Sequence, residues 1–195
     1  MRVDIMVDIE TLGTEVDSTI FQISAVAFDI ESGDKIGEFD GLADISKNED
    51  YEMDVSGKTL KWWLNTDVEL FKRLINSGEK SSDEILTDFH KWLEGYSQIG
   101  ELYLWGNGIM FDNRMIKEKM EGLGLEYPVH FRNDRDVRTI FELAAMKKNM
   151  SVSEFRETYS LPDTELEKHN ALHDCYNQIY LVSTCYDILV NSRNF

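Results

Sequence analysis

The sequence predicts an α/β domain around a mixed five-stranded sheet, and three observations carry that expectation. Val3, Ile5, Val7 and Ile9 place apolar side chains at every second position, the period of a strand. A second strand-like run over residues 18–29 is followed by the turn sequence Glu31-Ser32-Gly33-Asp34 and a return over 35–42, which together make an antiparallel meander. From Gly57 onward, helical periodicity alternates with short apolar runs, and a meander followed by such alternation belongs to one α/β domain. At 195 residues the chain is long enough to bury a sizeable core, so a single domain is expected over 1–195.

The first strand sets the chemistry. Side chains two apart on a strand share a face, so Asp8 and Glu10 point the same way at its far end, before Leu12-Gly13-Thr14 turns the chain out of the sheet. Two carboxylates side by side repel unless something positive lies between them, and a hard divalent cation with oxygen ligands is the economical occupant. The alternative is an edge strand carrying acidic gatekeepers, although such strands are short and polar on one face, whereas this one is apolar through its first half.

The later elements follow in order. Leu60, Trp63 and Leu64 share a helical face, as do Val68, Phe71 and Ile75 on the next segment. Ser81 and Glu84 have capping-box spacing ahead of a helix with the stripe Ile85, Phe89, Trp92 and Leu93. A fourth strand over 102–105 ends in Gly106-Asn107-Gly108, where glycines permit close approach of backbone or substrate. A helix with Phe111, Met115 and Ile116 and a loop at Gly122-Leu123-Gly124 lead to Val129-His130-Phe131, the expected fifth strand. Asp136 caps a helix reaching Met146, a short helix covers 153–159, and Pro162-Asp163 marks a loop. From about Lys168 a long helix carries Leu172, Ile179, Leu181, Val182 and Leu189.

Composition narrows the function. With 20 Lys and Arg against 37 Asp and Glu, the net charge of −17 repels nucleic acid and acidic membranes from most of the surface. A polyanionic substrate therefore needs metal ions and a few placed cations, and the other reading of such acidity is an imitation of DNA. With no signal sequence or membrane-length apolar run, a cytoplasmic address is expected. Cys175 and Cys185 fall in the last helix, ten residues or about 15 Å apart, too far for a disulfide.

Three further residues are candidates for the site. Asp112 opens a helix, where a metal ligand and an acid favoured by the helix dipole are both readings. His169 and Asp174 would lie roughly 140° apart on a continuous helix, so they converge only if His169 sits on the loop or first turn and Asp174 on the helix proper. His169 and His173 have zinc-ligand spacing, but neither the glutamate of a zinc-protease helix nor a nearby completing cysteine accompanies them.

Asp8 and Glu10 in VDIETLGT, Asp112 in WGNGIMFDN, and His169 with Asp174 in HNALHD resemble the three motifs of the DEDDh, or DnaQ-like, 3′→5′ exonucleases. TLKWWL (59–64) and RDVRTI (135–140) resemble the branch of phage exonuclease A and its exodeoxyribonuclease VIII-like and short-RNA-degrading relatives. Cys175 stands where alanine is expected in many of them. The resemblance implies a ribonuclease-H-like fold and hydrolysis of nucleic acid from its 3′ end to nucleoside 5′-monophosphates, with single-stranded DNA favoured and RNA the alternative. It implies two Mg²⁺ or Mn²⁺ ions held by Asp8, Glu10, Asp112 and Asp174, with His169 as general base, a residue type that titrates near neutrality. By the same analogy Thr11, Leu12, Asn107 and Trp63 are the expected substrate contacts, Thr11 through its backbone and Leu12 as a wedge against the last bases. One of the adjacent Trp62 and Trp63 is a candidate stacking platform, with core and groove-wall roles as the other reading. Arg138 is read either as a phosphate contact or as a partner of Asp136. A homodimer is left open, and the other enzyme reading on this fold is an endonuclease of the ribonuclease H type.

Overall fold

The computed structural model describes residues 1–161 and 169–191. Five strands form one sheet: β1 (Arg2–Thr11), β2 (Ile20–Phe28), β3 (Lys35–Leu42), β4 (Glu101–Gly106) and β5 (Asp134–Asp136). Their order is β3-β2-β1-β4-β5, with β1 antiparallel to β2 and parallel to β4, so the sheet is mixed and the acidic strand is central. Seven α-helices accompany it among the described residues: α1 (Gly57–Thr66), α2 (Val68–Ser77), α3 (Ser82–Ser97), α4 (Asp112–Gly122), α5 (Val137–Lys147), α6 (Val152–Tyr159) and α7 (Ala171–Val190).

The alternation in β1 divides the molecule. Val3, Ile5, Val7 and Ile9 enter a core closed by Ile85, Phe89 and Leu93 of α3 and Met115 and Ile116 of α4. The opposite face belongs to Met6, Val26 and Trp105, packed against α5, α6 and α7 through Phe141, Phe155, Ile179 and Val182. Asp8 and Glu10 share the face of Met6, which turns them toward α7. A third cluster of Leu12, Phe21, Trp63, Leu70, Phe71 and Leu74 seats α1 and α2 beyond the end of β1.

Local signals in the sequence account for several helix starts. The Ser81–Glu84 capping box is formed in both directions, the Ser81 amide donating to Glu84 Oε2 at 2.8 Å and the Glu84 amide to Ser81 Oγ at 3.3 Å. Asp136 caps α5 by accepting from the Arg138 amide at 2.8 Å.

Three expectations change. The fifth strand is Asp134–Asp136 rather than Val129-His130-Phe131. Val129 is buried, but Phe131 is 71 % exposed, and the Asn133 amide closes a turn onto the His130 carbonyl at 2.8 Å. The true edge pairs Leu104, Trp105 and Gly106 with three charged residues, whose polarity hides it from any search for apolar alternation. The stripe Leu60, Trp63 and Leu64 is not a core face, because α1 buries Trp63 alone of its residues. Finally, α7 begins at Ala171, later than the predicted start near Lys168, which lies with the Pro162-Asp163 loop outside the described residues.

Candidate active site

Three elements converge at the far end of β1. A register shift between Glu10 and Thr11 ends regular pairing with β2, and Leu12 is drawn back by its amide donating to the Thr19 carbonyl at 2.9 Å. Asp8 and Glu10 stop just before that shift, where a strand's regular path is easily re-aimed. Asp174 arrives from the first turn of α7. Ligand atoms of Asp8, Glu10 and Asp174 all lie within 4.8 Å of one another, the one such group found among the described residues.

Asp112 completes the acidic neighbourhood from the first position of α4. Its place is set by the turn after β4, where Asn113 donates to the Leu104 carbonyl at 3.1 Å and to Asp134 Oδ1 at 2.7 Å. A Cβ on Gly106 would lie 2.3 Å from Asn113 Oδ1, so only glycine lets α4 approach the strand this closely.

The electrostatics are those of a site short of positive charge. Burial, then the charges of Asp112, Glu10 and Asp174, push the Asp8 carboxyl well above the usual range, while a hydrogen bond from Gln178 opposes the rise. Glu10 is pushed up by burial and by Asp174 and Asp112. Burial raises Asp112 to about 7, against the pull of the Asp112 and Ile9 backbone amides and of Arg138. Four crowded carboxylates offering oxygen donors are the donor set that hard divalent cations require. The residues therefore fit such ions.

His169 lies ahead of α7, with φ +64°, and Asn170 caps the helix by accepting from the Leu172 amide at 3.2 Å. The imidazole is thus carried by the segment entering the helix, while Asp174 is fixed on the helix itself. Its ring stands edge-on to Trp62, with centroids 5.0 Å apart, and to Trp63 at 6.4 Å. Gln22 of β2 pins this junction, accepting from the Ala171 amide at 3.3 Å and donating to Asp40 Oδ1 at 3.0 Å.

Beside the carboxylates is a cavity of about 490 Å³, lined by Glu10, Thr11, Lys58, Trp62 and Phe111 among others. Thr11 forms part of its wall, with its carbonyl accepting from the Trp63 indole N–H at 3.1 Å. Two expected contacts are deeply buried, although Trp63 still lines the cavity. Leu12 is 2 % exposed among Phe21, Phe71 and Trp63, so its side chain has no surface to wedge against a base. Trp63 is 1 % exposed and stacked on Phe71, whereas Trp62 is 44 % exposed and available as an aromatic face. On adjacent helix positions only one of the pair can face inward, and the indole bond to Thr11 selects Trp63. Asn107, on the turn after β4, keeps a buried Oδ1 with no hydrogen-bond donor among the described residues.

Sequence reasoning missed Gln178. Its amide donates to Asp8 Oδ1 at 2.9 Å from one turn beyond Asp174, and the four-residue spacing from Asp174 was the available signal.

Residues 3–186 match the family described as the Rv2179c-like 3′-5′ exoribonuclease domain. The chain belongs to that family. The Rv2179c-like chain is also 23 % identical over 207 residues to the exodeoxyribonuclease of Enterobacteria phage T4, covering 92 % of this chain and 87 % of the phage protein. Among solved structures it resembles the cell-death related nuclease 4 (TM-score 0.69, 16 % identity, 95 % of this chain), of which it spans 64 %. It also resembles the nuclease domain of 3′hExo, a DEDDh family member bound to rAMP (TM-score 0.63, 12 % identity, 95 % of this chain and 92 % of that one). The fold is therefore the ribonuclease-H-like fold of the DEDDh exonucleases. Membership makes this Rv2179c-like chain a 3′-5′ exonuclease acting on nucleic acid, and the acidic mimic and the ribonuclease H type endonuclease are set aside. No described helix is long and apolar enough to cross a membrane.

Proposed function

We propose that residues 1–195 form a single divalent-metal-dependent 3′→5′ exonuclease domain that takes single strands, DNA first, and releases nucleoside 5′-monophosphates. The observation that carries the reading is the meeting of Asp8, Glu10 and Asp174 within 4.8 Å beside a buried Asp112. Asp8, Glu10 and Asp174 would hold one Mg²⁺ or Mn²⁺, and Asp8 and Asp112 a second. Such a pair supplies positive charge to the attacking and leaving oxygens of an in-line displacement. His169 takes a proton from the attacking water as its oxygen bonds to phosphorus. The bond from phosphorus to the 3′ oxygen breaks, leaving a 3′-hydroxyl on the shortened strand.

The terminal nucleoside occupies the cavity between β1 and α1, with Thr11 at its wall and Trp62 in place of Trp63 as the stacking face. Trp62 also contacts the His169 ring, so one residue borders both base and proton acceptor. The orphan Oδ1 of Asn107, on the turn after β4 and outside that cavity, supports a substrate hydrogen bond from the other side of the carboxylates. DNA is supported by the likeness to the phage exodeoxyribonuclease, and the family's description as exoribonuclease favours RNA as the second reading. Buried, unbridged Cys175 and Cys185 support a cytoplasmic address, and exposed Leu143 and Met146 on α5 support a homodimer, which light scattering decides.

The test is 3′- and 5′-end-labelled DNA and RNA of one sequence, incubated with protein and Mg²⁺ or Mn²⁺. Mononucleotides released from the 3′ end and suppressed by EDTA are the expected result, and internal cutting or metal-independent release sinks the reading. His169→Ala should keep metal affinity in titration calorimetry while losing roughly 10²–10⁴ in turnover.

A further inference from the structure

Arg138 is exposed at the start of α5, yet its guanidinium has no ion pair or hydrogen bond among the described residues. That is unexpected in a chain with 37 acidic residues against 20 basic ones. Asp136, the obvious partner, accepts from the Arg138 backbone amide instead. The neighbouring arginines are engaged: Arg135 donates to the carbonyls of Arg132 and Asp134 and lies 4.8 Å over the Tyr103 ring, and Arg132 lies 5.2 Å over Phe131.

The turn after β4 is shaped around this guanidinium. A Cβ on Gly108 would meet Arg138 Cζ and Nη2 at 3.0 Å and Nη1 at 3.3 Å, and Gly108 has φ +123°. A residue with a side chain would be strained there and would displace the guanidinium. Arg138 is close enough to the carboxylates that its charge bears on Asp112. Neither Arg138 nor Gly108 lines the cavity of Trp62 and Lys58.

We propose that Arg138 anchors the strand upstream of the bond being cut, its guanidinium taking the phosphate on the 5′ side of the scissile linkage. The inference rests on the terminal nucleoside occupying the Trp62 cavity, because the remaining strand must then leave past another edge of the carboxylates. A planar fork of donors that never loses its charge suits a phosphate, and Gly108 holds that fork beside the carboxylates unneutralised.

The test pairs Arg138→Ala with an oligonucleotide carrying one neutral methylphosphonate at the linkage next to the terminal one. Wild type should lose about tenfold to a hundredfold in kcat/KM on the modified strand. Arg138→Ala should show the same loss on the unmodified strand and little more on the modified one, and Arg138→Lys should recover part of it. A binding arm uses labelled single strands with Ca²⁺ in place of Mg²⁺, where Arg138→Ala should lower the slope of log affinity against log salt by about 0.7. Equal sensitivity of wild type and variant to the methylphosphonate, or an unchanged salt slope, overturns the anchor. A wild type that releases no nucleotide defeats the catalytic reading instead, and the salt slope then decides Arg138 alone.

Discussion

Asp8 is held by a residue that carries no charge. Gln178 donates to Asp8 Oδ1, orienting a carboxylate that the three negative groups of Asp112, Glu10 and Asp174 would otherwise push aside. Groups that orient a metal ligand commonly contribute a factor of 10–100 in affinity. Gln178→Leu should therefore weaken Mn²⁺ binding by about that factor in titration calorimetry, with the circular-dichroism spectrum unchanged, and unaltered affinity would remove Gln178 from the site. At this scale the acidic residues were legible in the sequence because their spacing reflects the period of strand and helix. Gln178 was less legible, since a glutamine on a helix carries no chemical signature. Leu12 follows the carboxylates in sequence, and nothing in the sequence tells Trp63 from its neighbour Trp62, so the burial of both was not legible. Leu12 turns into the core after the register shift beyond Glu10, and Trp63 does so from α1, stacked on Phe71.

Among the elements, α7 has the most demanding placement, because it brings Asp174 to β1 and carries His169 at its entrance. The buried side chain of Gln22 fixes its first turn from β2, bridging the Ala171 amide and Asp40. Gln22→Ala strands the buried Ala171 amide, at a cost of about 1–3 kcal/mol. The urea midpoint should fall accordingly, and turnover should drop more than metal affinity if the junction carrying His169 loosens. β1 through β4 were legible because apolar alternation and glycine turns mark them. β5 was not, because parallel pairing needs only backbone atoms and its three charged residues leave no apolar trace.

For the molecule as a whole, the excess of acid couples stability to pH and to metal. Asp8, Glu10 and Asp112 titrate higher in the folded protein than in the unfolded chain, mainly because they are buried. A carboxyl raised on folding favours the folded state below its unfolded value, and that contribution is lost as pH rises through the folded one, about 7 for Asp112. The metal-free protein should thus melt at progressively lower temperature between about pH 5 and 8. Mg²⁺ or Mn²⁺ should raise the melting temperature more at pH 8 than at pH 5, and a flat metal-free profile would contradict these shifts. The same architecture bears on how the protein is made. Asp8 and Glu10 lie on β1 and Asp174 on the last helix described, so a growing polypeptide cannot complete the carboxylate cluster until α7 has emerged. A polypeptide that stops short of α7 therefore leaves Asp8 and Glu10 without their third carboxylate, however complete its sheet.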